Sequence, residues 1–239
     1  PSVISALSSQ LIIGAKDGAI YTAAFTIQTE TNEAVKVTES LYDRILDVEV
    51  VNSNFYLLTK DTVYRANINT SAEIVFPNEG YTNCTAYDAS LILWSKGHKK
   101  PVKMLNTITG DSKELFNPKI GIETLRVFDN ALVCVLGSTT VLLFNFITNK
   151  ETTIYTGTGL QDAVLYTDDI MFVSKTAATS PKTPLIEINT KTKETVLPVS
   201  GDVIFSLVVN RDTAQPVIYG VSASTSLNSK RTEIFSYNP

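Results

Sequence analysis

An all-β fold of six repeated four-stranded sheets, set together as a six-bladed β-propeller, is what this sequence predicts. Two observations carry the prediction. Six short apolar runs recur along the 239 residues, each preceded by a turn rich in Asn, Asp or Ser. No stretch between them has the length and 3.6-residue period of a long helix.

The runs are Leu11-Ile12-Ile13-Gly14, Phe55-Tyr56-Leu57-Leu58, Leu91-Ile92-Leu93-Trp94, Leu132-Val133-Cys134-Val135, Ile170-Met171-Phe172-Val173 and Val217-Ile218-Tyr219-Gly220. They are β-branched or aromatic and too short for helices, so each reads as a buried strand, B. The turns before them include Asn52-Ser53-Asn54, Asp88-Ala89-Ser90, Asp129-Asn130 and Asp168-Asp169. These residue types bond their own backbone and tolerate left-handed geometry. An apolar strand A precedes each turn. In Leu46-Asp47-Val48-Glu49-Val50 the alternation has a period of two, as a half-buried strand requires.

Strand C follows B and ends in Ala66-Asn67, Leu105-Asn106, Phe144-Asn145, Ile188-Asn189 and Tyr237-Asn238; the first repeat has Ala23-Ala24 instead. The recurring Asn is suited to cap backbone amides as the chain turns into strand D. The repeats fall near 1–40, 41–79, 80–118, 119–158, 159–200 and 201–239, one propeller domain in all. Such a sheet buries its faces only against its neighbours, and radial closure does this for every copy. A two-sheet sandwich is the alternative, but it does not require six equal repeats. The sixth repeat stops at Asn238-Pro239, so its strand D is expected to be missing or to come from beyond either end. With no Met at Pro1, the chain is expected to be a processed or cloned piece of a longer one.

Strand C and its turn resemble a WD repeat. In Thr140-Val141-Leu142-Leu143-Phe144-Asn145-Phe146-Ile147-Thr148-Asn149, the pair Phe144-Asn145 stands where that family carries Trp-Asp. Lys16-Asp17-Gly18-Ala19-Ile20-Tyr21 is similar to the family's turn into the same strand. The resemblance extends over all six repeats as a pattern, although no repeat has Trp-Asp or the family's Gly-His pair. It implies a propeller and the scaffold role common in that family.

Composition narrows the function. The net charge of −4, pI near 5.1 and few arginines disfavour nucleic acid. No apolar run reaches the ~18 residues of a membrane-spanning helix. Cys84 and Cys134 sit in apolar strand patterns and read as buried free thiols, which leans toward a reducing intracellular compartment, cytoplasmic or nuclear. His98, the single histidine, lies in the polar loop Lys96-Gly97-His98-Lys99-Lys100, so a His-based triad or His–His metal site is not expected. No zinc spacing or phosphate loop is present. Asp168-Asp169 reads as turn chemistry.

The expectation is therefore a non-catalytic protein-interaction scaffold without metal or cofactor. The B–C loops carry Lys96, Lys99 and Lys100 in the third repeat and Lys175 and Lys182 in the fifth, and these are the expected partner-binding residues. They suit an acidic or phosphorylated protein segment. Asp17, Asp61 and Glu79 come to the same loop edge and dilute the charge. The competing expectation is a propeller that binds a small ligand or performs catalysis at its central channel. That would need polar side chains on strands A, which are mainly Ile, Leu, Val, Ala and Thr.

Overall fold

The computed structural model describes residues 3–7, 10–24, 35–38, 43–67, 70–176, 184–199, 203–210, 216–223, 232–237 and 239. Among them there is no helix, and all strands fall into six antiparallel sheets. The first sheet is β1 (Val3–Leu7), β2 (Gln10–Gly14), β3 (Ile20–Ala24) and β4 (Val35–Thr38). The second is β5 (Asp47–Val51), β6 (Asn54–Leu58), β7 (Thr62–Asn67) and β8 (Thr70–Pro77). The third is β9 (Asn83–Tyr87), β10 (Ser90–Trp94), β11 (Val102–Asn106) and β12 (Ser112–Phe116). The fourth is β13 (Ile122–Phe128), β14 (Ala131–Leu136), β15 (Thr140–Asn145) and β16 (Lys150–Thr156). The fifth is β17 (Leu160–Leu165), β18 (Ile170–Lys175), β19 (Leu185–Asn189) and β20 (Thr195–Val199). The sixth has three strands, β21 (Val203–Asn210), β22 (Val217–Ala223) and β23 (Thr232–Tyr237). The first five sheets are meanders in the order A-B-C-D and the sixth is A-B-C, and all six apolar runs are strand B, as the repeat predicts.

The chain packs as two compact units, Pro1–Lys96 with Lys100–Asn117, and Gly97–Lys99 with Pro118–Pro239. Sheets one to three lie in the first and sheets four to six in the second. Within each unit, strand A of one sheet stands against strand A of the next.

Strand B shows why the runs are apolar without alternation. In β6, Phe55 and Leu57 pack with Ile12 and Ile20 of the first sheet. Tyr56 and Leu58 pack with Cys84, Leu91 and Leu93 of the third. In β18, Met171 and Val173 join Val133 and Val135 of the fourth sheet, while Phe172 joins Leu207 and Ile218 of the sixth. A strand buried on both faces has no solvent side on which a polar residue is favoured. Of the residues expected in the core, Val48, Leu57, Leu93, Val133, Cys134, Phe172 and Ile218 are buried. Leu46 is only half-buried; it precedes β5, and Ile45 takes the core position beside it.

The turns follow their chemistry. Asn52 and Ser53 have φ of 49° and 64°, and Asp88 and Asp129 have 48° and 43°, the left-handed values of tight hairpins. At the other hairpin, Asn106 Oδ1 accepts from the amides of Ile108 and Thr109 at 2.8 and 3.0 Å. Asn145 does the same for Ile147 and Thr148, and Asn189 for Lys191 and Thr192. The residue after this Asn ties the hairpin to the A–B turn: Thr107 N donates to Ala89 O, Phe146 N to Asn130 O and Thr190 N to Asp169 O. Asp169 also pairs with Lys191 at 2.8 Å, so Asp168-Asp169 is turn structure.

Leu57→Ala and Leu93→Ala are each predicted to cost about 2–5 kcal/mol, the usual price of emptying a packed site. Denaturant titration of each variant against the parent measures it. Unfolding indistinguishable from the parent would contradict the two-sided packing of strand B.

Candidate interaction surface on the B–C loops

In the second, third and fourth sheets the B–C loop leaves the edge opposite the A–B turn, and the D–A link returns to it. Hydrogen bonds bind the two together. Asn78, buried after β8, accepts from Tyr81 N at 2.9 Å and donates Nδ2 to Thr59 O in the B–C loop of the second sheet at 2.5 Å. In the second unit, Leu160 N donates to Ser138 O and Thr176 N to Gly159 O. The loops are therefore held at their bases.

The structure separates the expected lysines. Lys96 is exposed, and its backbone amide donates to Asn83 Oδ1 at 3.3 Å, which fixes the start of the loop while leaving the side chain in water. Lys99 is also exposed; it follows Gly97 and His98, whose backbones bond Ile122 within the second unit. Neither side chain has an ion pair among the described residues. Lys100 is different. Its Nζ bonds Glu79 O and lies 4.2 Å from the centre of the Tyr81 ring. Lys103, which sequence reasoning passed over, pairs with the Glu79 carboxylate at 2.6 Å and holds its pKa below the ordinary value. Burial, with Glu79 and Glu114 nearby, pushes the Tyr81 hydroxyl up to about 12. Lys100 is thus a packing element. Lys175 is half-buried at the end of β18, its amide bonded to Pro184 O at 2.8 Å. Lys182 lies outside the described residues.

Beside Tyr81 is a shallow cleft of about 90 Å³ lined by Phe76, Pro77, Leu93, Lys103, Leu105 and Gly110. Small-molecule pockets typically hold roughly 300–1,000 Å³, so this cleft takes a side chain at most. Among the described residues, no group of three or more His, Cys, Asp or Glu is placed to hold a metal ion, and no helix is long and apolar enough to cross a membrane.

Comparison with solved structures identifies the architecture. The WD40 β-propeller domain of Doa1 superposes with a TM-score of 0.64 at 11% identity, over 98% of this chain and 81% of that one. The fold is a β-propeller. The N-terminal domain of Nup159 is similar with a TM-score of 0.60 at 9% identity, over 99% of this chain and 73% of that one. A hydrazine synthase of Kuenenia stuttgartiensis is also similar, with a TM-score of 0.62 at 12% identity, over 93% and 76%. No protein-family model matches the chain. No curated protein matches it by sequence. With a repeat count of six, the sheets are the blades, and the divergent WD-repeat likeness holds at the level of fold.

The propeller's strands A are more polar than the sequence reading allowed. In the second unit, Arg126 on β13 grips Asp162 on β17 through two bonds, Nε to Oδ1 at 3.0 Å and Nη2 to Oδ2 at 2.6 Å. Asp162 is 1% exposed and also accepts from Ala163 N and from Leu207 N on β21, both at 2.9 Å. One carboxylate so joins three consecutive blades. In the first unit Asp47 plays a similar part, accepting from Val48 N at 3.0 Å and from Cys84 N of the next blade at 2.9 Å. The available signal was an Asp entering an otherwise apolar strand, in Leu46-Asp47-Val48 and Gln161-Asp162-Ala163. Cys84 and Cys134 are buried free thiols, and burial raises both pKa values, so neither is an activated nucleophile.

Removing one member of a buried pair leaves the other charged and unmatched. Arg126→Ala should therefore cost about 3 kcal/mol in denaturant titration, and Arg126→Leu combined with Asp162→Ala distinctly less. Equal losses would mean that the pair is not coupled.

Asp47 gives a pH signature. Burial raises its pKa above 3.8, against the lowering effect of its hydrogen bonds from Cys84 N, Val48 N and Asn83. The folded chain then holds this proton more readily than the unfolded one. Its contribution to stability is full below pH 3.8 and is lost as pH rises through the folded value. Asp47→Asn should gain stability relative to the parent as pH is raised from about 3 to about 7. A relative loss over that range would contradict the assignment.

Proposed function

We propose that this chain is a non-catalytic protein-interaction scaffold, a propeller domain of a larger assembly, and that it meets its partner on the B–C loop edge. The observation that carries the reading is the third blade's loop. Lys96 and Lys99 project into water from a segment whose backbone is bonded at both Lys96 and Gly97. Charge on a fixed loop suits capture of an acidic or phosphorylated protein segment, because the loop loses little conformational freedom on binding. Lys100 supports the loop by packing on Tyr81, and Lys175 is half-buried at the end of β18. The polar groups that a catalytic centre on strands A would draw on, Arg126 and Asp162, are spent on each other and on backbone amides, which favours the scaffold over the channel-ligand reading. A similar chain belongs to a complex of Dbp5 with Nup159 and Gle1, an assembly of proteins; its TM-score is 0.60 at 9% identity, over 99% of this chain and 72% of that one.

The test is association with a partner recovered by pull-down from the native source. Lys96→Glu with Lys99→Glu should lower the association rate several-fold, and the difference should shrink with salt, since charges are screened beyond ~10 Å at 0.1 M. Lys175→Glu with Lys182→Glu is measured separately. Undiminished binding by both pairs would overturn the lysine assignment, and turnover of a substrate dependent on strand A residues would overturn the scaffold reading.

A further inference from the structure

The cleft beside Tyr81 lies within the first unit, and its cause can be read from the blades that form it. Blades two and three share a core that includes Leu58, Leu93, Leu105 and Tyr81. Leu93 and Leu105 also line the cleft, together with the half-buried ring of Phe76. Glu79 and Tyr81 of the D–A link stand at one end of it, Gly110 and Ser112 of the C–D hairpin at the other. A buried apolar layer therefore meets solvent along this junction. Two residues leave it open. Gly110 has φ 79°, and a β-carbon there would lie 3.2 Å from the Phe76 ring. Counted from the strand C Asn, blade five has Lys193 at this place. At the place of Lys103 it has Ile186, 1% exposed. Blade three has no side chain at the first position and a charged one at the second, so neither supplies apolar cover.

The charges about the cleft are unequal. Lys103 pairs with Glu79 and stands opposite Glu114 in the register. Lys100 comes to the same place, but its Nζ rests on the Glu79 carbonyl and the Tyr81 ring, and neither cancels its charge. Lys96 begins the loop close by, its amide bonded to Asn83, two residues beyond Tyr81. Three lysines thus stand about the cleft with two glutamates, an excess of positive charge beside an apolar floor.

We propose that this cleft anchors one aliphatic side chain, of leucine size, from the acidic protein segment that the lysine edge receives. The inference deepens the lysine-edge reading and rests on it for the acidic part of the partner; the cleft adds the apolar part. Exposed lysines act mainly on the association rate, whereas an apolar side chain seated in a dry site slows dissociation. Seated there, the side chain covers Leu93, Leu105 and the Phe76 ring. A carboxylate next to it in the segment has Lys100 to pair with, and the Lys103–Glu79 pair stays intact. The partner is thus a segment in which an aliphatic residue is flanked by Asp or Glu.

The probes are short labelled peptides of glutamate and serine with one central leucine, and copies with phenylalanine or serine in its place. Binding to the intact 239-residue chain is read by fluorescence anisotropy. The leucine peptide should bind saturably and about tenfold more tightly than the serine peptide, the gain expected from burying one aliphatic side chain. Ser112→Trp, which brings a large ring to the cleft from an exposed strand position, should abolish that difference without lowering the melting temperature. Gly110→Asn copies Asn149, which holds the same left-handed place in blade four at φ 50°, and should reduce it. Lys96→Glu with Lys99→Glu should weaken the leucine and serine peptides by the same factor. Equal binding of these two peptides to the parent, or a leucine preference that survives both cleft variants, would overturn the anchor and leave the lysine reading standing. A leucine preference lost in Ser112→Trp, with binding indifferent to the lysine pair, would uphold the anchor and overturn the acidic part of the partner. Tighter binding of the phenylalanine peptide than of the leucine peptide would overturn the aliphatic assignment. Absence of saturable binding by every peptide would overturn the anchor.

Discussion

Burial of a sheet on both faces is the constraint on which the rest of this structure depends. A four-stranded sheet about forty residues long cannot enclose a core of its own. Stacked between two others it buries both faces of strand B, and the hydrophobic gain is made twice over the same few residues. Phe55 and Leu57 face one neighbour while Tyr56 and Leu58 face the other. The same division runs through Met171, Val173 and Phe172. It explains the unbroken apolar runs, the absence of helix among the described residues, and the shortness of every strand.

The strand edges then carry what the faces cannot. Backbone amides at the hairpins need partners, and Asn106, Asn145 and Asn189 supply them from the end of strand C. Between blades, where amides of strand A lose water, Asp47 and Asp162 accept them. A carboxylate in such a place is costly unless several donors share it. Asp162 meets that condition with Arg126 and two backbone amides, and Asp47 meets it less completely, which is why burial dominates its titration. The opposite loop edge is left to polar and basic residues, some of them used in packing, as with Lys100 on Tyr81, and others left in water, as with Lys96 and Lys99.

Much of this was legible in the chain itself. Strand B follows from a local pattern that repeats six times and the hairpin role of Asn from one that repeats five times, and repetition averages out the ambiguity of any one run. The polar ties on strands A were not legible, because an Asp in Leu46-Asp47-Val48 reads as the solvent side of a half-buried strand. Only the adjacent blade, thirty-six residues away for Arg126 and Asp162, shows that it is an interior acceptor. The distinction between Lys99 and Lys100 was hidden for the same reason. Consecutive residues of one loop differ because Tyr81 and Glu79, distant in sequence, stand under only one of them.

Within each unit the stiffness of the stacked sheets is set by strands B. Native-state amide exchange tests that account most directly. Because β6 and β18 are each enclosed by blades on both sides, their amides should exchange only through global unfolding, while those of the outer strands β8, β12 and β16 exchange through smaller local openings. Exchange of the B strands as fast as that of the outer strands would contradict it.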